Sequence, residues 1–137
     1  MNLSCMYEND PSGKETQAGT VFGLLSGVDM ATRIAKAARV CGLGVYNTDK
    51  AESLIKTMGG GKPVLILIDW DGCEREAYKL MDTLRGETSL KRVPILGFVS
   101  KAKEMIRDEA QRAGCDRVYF KTEFIHDLDI ILARCAL

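Results

Sequence analysis

Short apolar runs alternate with amphipathic segments along most of the chain. The runs cover residues 21–25, 44–47, 64–68, 94–99 and 118–120, and each is followed by a segment whose apolar residues recur every three or four positions. The short runs predict β-strands, and the longer periodic segments predict α-helices. Five strands and five helices in strict alternation indicate a three-layer α/β domain, because parallel neighbours need crossover helices and right-handed crossovers place them on both faces of the sheet.

The third run is the most informative of the predicted strands. Residues 64–68 are apolar at every position rather than at alternate ones. A strand of this kind is covered on both faces, so we expect it at the centre of the sheet.

Length and composition favour one globular domain. The chain has 137 residues, of which 46% are hydrophobic and 28% are charged, and these values are typical of a folded domain rather than a disordered chain. Residues 1–19 are polar and show no hydrophobic period. We therefore expect a disordered or flexible leader over residues 1–19 and a folded domain over residues 20–137.

Charge and hydropathy argue against two classes of partner. The 19 basic and 19 acidic side chains cancel, which gives no bulk attraction to nucleic acid or to an anionic membrane surface. The longest apolar run, residues 63–68, is too short to cross a bilayer, and residues 1–20 do not resemble a secretion signal. We expect a cytoplasmic protein that binds neither nucleic acid nor membrane.

The cysteines form no recognisable metal or disulfide pattern. They are widely spaced, no two of them form a C-x-x-C pair, and only one histidine, His126, accompanies them. Zinc sites need closer spacing and disulfide frameworks need an even set, so most of the cysteines are predicted to be small buried hydrophobic residues. The five are Cys5, Cys41, Cys73, Cys115 and Cys135.

Polar side chains follow the predicted strands at the edge where open parallel sheets carry their ligand sites. Asp69, Trp70 and Asp71 follow the third strand. Ser100 follows the fourth strand, and Lys121 follows the fifth. A carboxylate from the central strand and an ammonium group from the last strand are therefore expected to converge there. Trp70 is expected to be an ordinary half-buried aromatic residue.

The spacing of these residues is similar to that in the receiver domain of two-component response regulators. The stretch from Asp69 to Arg85 fits the receiver pattern without a gap, and residues 93–96 resemble the receiver entry into the fourth strand. Residues 114–121 match the family's G-x-D-x-x-x-x-K run and place Lys121 on the receiver lysine. The chain thus resembles a receiver domain over residues 20–137.

The resemblance implies a fold and a set of roles. The fold is the flavodoxin-like (CheY-like) α/β three-layer sandwich, with a five-stranded parallel sheet in the order 2-1-3-4-5 and five helices. Asp69 would be the phosphoryl acceptor, since a carboxylate can act as a nucleophile. Lys121 would be the ion-pair partner of Asp69 and the cation that contacts the added phosphoryl oxygens.

Several positions depart from the receiver pattern. The acidic pair that holds Mg²⁺ is replaced by Ser-Gly-Val at residues 26–28, so Asp69 and Asp71 would form only a weakened magnesium site. In receivers, a Thr or Ser at the end of the fourth strand carries the hydroxyl that acts as the switch, and this position falls on Val99. Ser100 substitutes for it only if a bulge or turn redirects its side chain. The proline that follows the receiver lysine is replaced by Thr122, and the proline and glycine of the loop after the acceptor fall on Cys73 and Ala77. The pattern indicates an atypical receiver, or pseudo-receiver.

We expect a stand-alone, non-enzymatic domain of this atypical kind that signals by protein–protein interaction. Its partner would be another signalling protein or a sensor histidine kinase, or a second copy bound through the fourth helix, fifth strand and fifth helix. The side chains expected on that surface are Lys103, Arg107, Arg112, Tyr119 and Glu123. Mg²⁺ is the only cofactor that the resemblance implies, and its binding is expected to be weak.

Two alternatives remain open at this point. The chain could be a working phospho-accepting receiver that uses Asp69 and a rearranged metal site, with Asp71 or Asp29 supplying the missing carboxylate. It could also be an enzyme or a flavin protein on the same architecture. However, the turn at residues 26–27 offers few donors for a flavin phosphate, and no nucleophile has an adjacent base.

Overall fold

A parallel sheet of five strands carries the predicted site. The computed structural model describes residues 19–136. Of the flexible leader predicted over residues 1–19, only Gly19 is described, and it is buried and accepts a hydrogen bond from Gly44 N, so it belongs to the folded domain; residues 1–18 and residue 137 lie outside the described part of the chain. The strands are β1 (Thr20–Leu24), β2 (Gly44–Thr48), β3 (Pro63–Asp69), β4 (Ile95–Val99) and β5 (Arg117–Phe120). Their order in the sheet is β2-β1-β3-β4-β5, and all neighbours are parallel. The predicted strand order is confirmed.

Helices follow the strands in alternation and cover both faces of the sheet. They are α1 (Val28–Val40), α2 (Ala51–Met58), α3 (Glu74–Arg85), α4 (Glu104–Ala113) and α5 (Lys121–Cys135). α1 and α5 pack on one face, and α2, α3 and α4 pack on the other. This arrangement confirms the predicted three-layer sandwich. No helix among residues 19–136 combines the length and the apolar character that crossing a bilayer requires.

The central strand β3 contributes to both hydrophobic cores. Leu65 and Leu67 face the core under α1 and α5, whereas Ile66 and Ile68 face the core under α2, α3 and α4, and all four are completely buried. Successive side chains of a strand point to opposite faces, so a strand with helices on both faces needs an apolar residue at every position. The prediction that residues 64–68 lie at the centre of the sheet is confirmed.

Two helices end at glycines with a positive φ angle. Gly42 has φ of 74° and follows α1, and Gly114 has φ of 124° and follows α4. A side chain is strained in this backbone conformation, so glycine allows the chain to leave the helix and enter the next strand after a tight turn. The two turns return the chain to the start of β2 and of β5, so that both strands run parallel to β3.

Candidate functional site

The carboxyl ends of β3, β4 and β5 bring four of the predicted site residues to one edge of the sheet. Asp69 is the last residue of β3, and Asp71 lies two residues beyond it. Ser100 follows β4, and Lys121 is the first residue of α5, directly after β5. This is the edge at which open parallel sheets bind their ligands.

Asp69 organises the turn that links β3 to α3. It is the buried charged residue of the described chain, with 4% of its surface exposed. Its Oδ1 atom accepts hydrogen bonds from the backbone N–H groups of Asp71, at 3.0 Å, and Gly72, at 3.1 Å. Its backbone carbonyl accepts a bond from Cys73 N at 3.0 Å. Aspartate commonly bonds to its own turn in this way.

Asp71, rather than Asp69, is the carboxylate that Lys121 contacts. Lys121 Nζ lies 3.2 Å from Asp71 Oδ2. The Ser100 backbone N–H donates to the same oxygen at 3.0 Å, and the Ser100 hydroxyl donates to Asp71 Oδ1 at 3.3 Å. The predicted pairing of Lys121 with Asp69 is therefore wrong. The reason is that Asp69 turns one oxygen to the amides of its own loop, which leaves Asp71 to reach β4 and β5.

The donors around Asp71 keep its carboxyl group ionised. Burial raises the pKa of Asp71, but the hydrogen bond from the Ser100 backbone and then the hydrogen bond and charge of Lys121 outweigh it. The pKa of Asp71 consequently lies below its ordinary value of 3.8. Asp71 is an anion at neutral pH, and its ion pair with Lys121 is complete.

The stabilising effect of the Asp71 charge is expected to disappear in acid. Because the folded-state pKa is lowered, this contribution is fully present above the unfolded pKa and is lost as the pH falls through the folded value. In urea unfolding, Asp71→Asn should be less stable than wild type by a constant amount between roughly pH 5 and 7, and the gap should narrow below about pH 4. The control Asp82→Asn changes an exposed carboxylate of α3. If the difference in the free energy of unfolding between wild type and Asp71→Asn stays unchanged down to about pH 3, the charge of Asp71 is not the cause of that difference.

Ser100 reaches the site although it lies one residue beyond the position where the resemblance places the hydroxyl. Val99 is completely buried in the core under α2, α3 and α4, whereas Phe98 faces the opposite core. Because side chains alternate along a strand, the next residue returns to the side of Phe98. Ser100 is also the residue before the 3₁₀ turn Lys101–Lys103, and it presents both its N–H and its hydroxyl to Asp71.

The loop after β3 packs closely against Ser26. A Cβ atom at Gly72 would collide with Ser26 Oγ and would lie 3.1 Å from Asp69 Oδ2. A side chain at position 72 would therefore force the Ser26 hydroxyl to move. Ser26 lies where the resemblance places the acidic pair, and its neutral hydroxyl adds no negative charge beside Asp69.

Two of the described thiols are buried, Cys73 in the loop after β3 and Cys115 before the start of β5. Burial, and then the charge of Asp69, raises the pKa of Cys73 to about 11. Burial also raises the pKa of Cys115 to about 11. These two agree with the prediction of small buried hydrophobic residues, whereas Cys41 and Cys135 are only partly buried. Residue 5, the fifth cysteine, lies outside the described residues.

The thiols are expected to react with a disulfide reagent in the order of their exposure. In the native protein at about pH 8, DTNB should modify Cys41 and Cys135 well before Cys73 and Cys115, because the last two are buried and the reagent cannot reach them. Burial raises the pKa of Cys135 as well, so exposure decides the order. Mass spectrometry of peptides after partial labelling measures the order. Equal labelling of all four in the folded protein would contradict the packing described here.

The donors at this edge suit a magnesium ion poorly. Both oxygens of Asp71 accept hydrogen bonds from Ser100, and one of them is paired with Lys121. Mg²⁺ needs near-octahedral oxygen ligands and usually one or two carboxylates, and an ammonium group beside one of them opposes its binding. Within residues 19–136, no three His, Cys, Asp or Glu side chains are grouped so that they could hold a metal. The weak magnesium site predicted from Asp69 and Asp71 therefore lacks a suitable donor set.

Trp70 is completely buried, whereas the sequence indicated a half-buried residue. Its ring packs edge-to-face against Tyr78, with ring centroids 5.1 Å apart. The space for the ring comes from Gly97 in β4, where a Cβ atom would lie 2.7 Å from two atoms of the indole. The prediction for Trp70 was wrong because burial depends on a glycine in the neighbouring strand.

The aromatic residue on the outer face of β5 is Phe120 rather than Tyr119. Tyr119, expected on the partner surface, is 6% exposed and packs against Phe124. Phe120 is half buried on the other face, with the Arg107 guanidinium 4.7 Å and Lys101 Nζ 5.6 Å from its ring centroid. Sequence reasoning missed Phe120 because the register of this short strand was uncertain by one residue.

The sequence by itself matches no protein-family model and no curated protein. Solved structures nevertheless share its fold. The receiver domain of the sensor histidine kinase PA1611 from Pseudomonas aeruginosa, solved with a magnesium ion in its active-site cleft, has a TM-score of 0.71 and 19% identity, and the match covers 86% of this chain and 97% of that one. The chemotaxis response regulator CheY4 of Vibrio cholerae has a TM-score of 0.70 and 14% identity, with coverage of 85% and 97%.

A third match is the receiver domain of a Francisella response regulator, with a TM-score of 0.67, 16% identity and coverage of 86% and 96%. All three matches span nearly the whole of the known domain. The chain therefore has the flavodoxin-like, CheY-like fold of response-regulator receiver domains.

Proposed function

We propose that this chain is an atypical receiver-like domain of two-component signal transduction, which acts through protein–protein contacts and not through magnesium-dependent phosphorylation of Asp69. The fold shared with receiver domains supports the signalling role. The observation that carries the atypical assignment is the position of the Asp71 carboxylate, which holds both Lys121 and Ser100. The groups that would contact a phosphoryl group on Asp69 are therefore already bound to an internal anion.

Asp69 is poorly equipped to accept a phosphoryl group. Its Oδ1 atom is committed to two backbone N–H groups. Phosphoryl transfer relies on metal ions and cationic side chains that neutralise the charge of the transferred group. The nearby cation, Lys121, is paired with Asp71. The negative charge of Asp71 would moreover repel a phosphoryl group added to Asp69.

The partner surface that we propose lies on α4, β5 and the start of α5. Its centre is Phe120, whose ring centroid lies 4.7 Å from the Arg107 guanidinium and 5.6 Å from Lys101 Nζ. Met105, on the same helix as Arg107, is 81% exposed. Aromatic residues, Met and Arg are the types enriched at the centres of protein interfaces. The partner would be another signalling protein, a sensor histidine kinase or a second copy of this chain.

Ser100 and Lys121 connect the site to this surface along the chain. Ser100 directly precedes Lys101, and Lys121 directly follows Phe120. Because Asp71 binds both Ser100 and Lys121, it fixes the chain directly before Lys101 and directly after Phe120. In this proposal the Asp71 contacts keep the partner surface in one arrangement without a phosphorylation cycle.

Incubation with acetyl phosphate and Mg²⁺, followed by intact-mass spectrometry, tests the proposal. We expect wild type and Asp69→Asn each to keep its own unmodified mass. A receiver domain with the full acidic pair, which should gain a phosphoryl group, is the positive control. A stoichiometric gain by wild type that Asp69→Asn lacks would overturn the proposal. A titration with beryllofluoride, followed by amide NMR, is an independent check in which the amides of residues 69–73 should not shift.

A working phospho-accepting receiver is the second candidate. It is favoured by the placement of Asp69, a buried carboxylate at the end of the central strand, and by the Mg²⁺ ion found in the Pseudomonas aeruginosa receiver. In that case Asp71 would have to leave Lys121 and supply a metal ligand. Phosphorylation of wild type that is lost in both Asp69→Asn and Asp71→Asn would establish this candidate instead.

A further inference from the structure

We propose that Cys41 and Cys135 form a redox-active pair, which closes to an intramolecular disulfide between the ends of α1 and α5 when a peroxide oxidises it. Cys41 is the residue directly after α1, and Cys135 is the last residue of α5. The cysteine spacing does not indicate this pair, because the two residues lie near opposite ends of the domain sequence. The fold brings them together, at a place separate from the carboxylates of the candidate site.

The C-terminal ends of α1 and α5 lie at the same edge of the sheet. The helices follow β1 and β5, which are parallel, and both pack on the same face. They therefore both run from the carboxyl edge of the sheet to its amino edge. α1 has 13 residues and α5 has 15, so at about 1.5 Å per residue their lengths differ by only about 3 Å. Cys41 and Cys135 are consequently at the edge opposite to Asp69 and Lys121.

The two thiols share one hydrophobic environment. Both pack against the core under α1 and α5, and the two helices contact each other directly. Burial, and then the charge of Cys41, raises the pKa of Cys135. Two thiolates affect each other in this way only when they are close together, which agrees with the position of both at the same end of the helix pair.

Exposure and position distinguish this pair from the other described cysteines. Cys41 and Cys135 are partly exposed free thiols, whereas Cys73 and Cys115 are buried, so an oxidant in solution reaches the first two. A disulfide needs the two Cα atoms within about 4–7 Å of each other. Both residues of the pair lie at helix ends, which have fewer backbone hydrogen bonds and fray. They can therefore adjust to each other without disturbing the core.

The oxidation consumes one peroxide molecule for each disulfide. One thiolate attacks a peroxide oxygen, the O–O bond breaks, hydroxide leaves, and the sulfur becomes a sulfenic acid. The other thiolate attacks that sulfur, which forms the S–S bond and releases a second hydroxide. The two protons lost by the thiols convert both hydroxides to water. The disulfide ties α1 to α5 and restricts the unfolded chain between them, so the oxidised domain is more stable than the reduced one.

Treatment of the folded protein with hydrogen peroxide, followed by alkylation in denaturant, tests the pair. The reduced chain has five thiols that can be alkylated, and we expect the oxidised chain to have two fewer, with the loss reversed by dithiothreitol. Mass spectrometry of unreduced peptides should find Cys41 linked to Cys135. The Tm of the oxidised protein should rise by about 5 °C or more.

Serine variants provide matched controls. Cys41→Ser and Cys135→Ser should each abolish the paired loss of thiols and the rise in Tm, whereas Cys5→Ser, a change outside the pair, should keep both. The peptide map of wild type does not depend on whether these variants fold. Three results would overturn the inference: a covalent dimer in place of the internal link, a link that includes any other cysteine, or a wild-type protein that keeps both thiols. None of them bears on the acetyl phosphate experiment.

Discussion

Replacement of Trp70 by alanine is expected to lower the free energy of unfolding by about 3–5 kcal/mol. Trp70 is the largest fully buried side chain among the described residues. It packs edge-to-face on Tyr78 of α3 and lies against Gly97 of β4. Because the interior is close-packed, neighbours on a sheet and on a helix collapse only partly into the space that the ring leaves, so the cavity adds to the lost burial.

Urea unfolding followed by far-UV circular dichroism measures the effect of Trp70→Ala. Fluorescence is unsuitable because Trp70 is the only tryptophan of the chain. Val40→Ala serves as a control, since Val40 is 87% exposed at the end of α1 and its loss should change the stability by at most about 0.5 kcal/mol. A loss of less than about 1 kcal/mol for Trp70→Ala would contradict its place in the core.

The burial of Trp70 also determines where the two site carboxylates lie. Its ring enters the core under α2, α3 and α4, and Asp69 and Asp71 are its neighbours in the sequence. Asp69 then bonds to its own loop, and Asp71 extends to Ser100 and Lys121. Loss of the ring should also loosen the Asp71 contacts, and a shift of the Ser100 amide in an NMR spectrum of Trp70→Ala would report this change.

The fold could be predicted from the sequence because its main signals are local. The apolar stretch at residues 64–68 indicated a strand covered on both faces without any knowledge of the neighbouring elements. The alternation of short apolar runs with periodic segments indicated a parallel sheet. The edge that carries the site was predictable for the same reason. In a parallel sheet all strands end on one side, so Asp69, Ser100 and Lys121 had to approach each other.

The pairing within the site was not predictable, because it depends on how the loops turn. Asp69 ends β3 and Asp71 lies in the turn that follows, so only the hydrogen bonds of the loop decide which of them reaches Lys121. The same limit explains the error at Tyr119 and Phe120. The prediction placed Tyr119 on the partner surface, whereas Tyr119 is buried and Phe120, one residue further along β5, is the half-buried ring. The burial of Trp70 required Gly97 beside it, and that neighbour is 27 positions further along the chain.

Gly97→Ala is expected to destabilise the fold by about 1–3 kcal/mol, although alanine ordinarily suits a strand at least as well as glycine. A Cβ atom at position 97 would lie 2.7 Å from both Cδ1 and Nε1 of Trp70 and 3.5 Å from Cys115 Sγ. The indole is completely buried, so it has no free space into which to move. Gly60→Ala is the matched control, because a Cβ atom there meets nothing within 4 Å.

A double-mutant cycle with Trp70→Ala identifies the indole as the cause of this loss. Alanine at position 70 removes the atoms Cδ1 and Nε1 that the new methyl group would meet, so Gly97→Ala should cost less in the Trp70→Ala background, by at least about 0.5 kcal/mol. Urea unfolding of the four proteins gives this coupling free energy. If the two losses simply add, the methyl group acts on the backbone of β4 and not on Trp70. A measured coupling would instead show that β4 at position 97 contacts the ring of Trp70, the residue between the two site carboxylates.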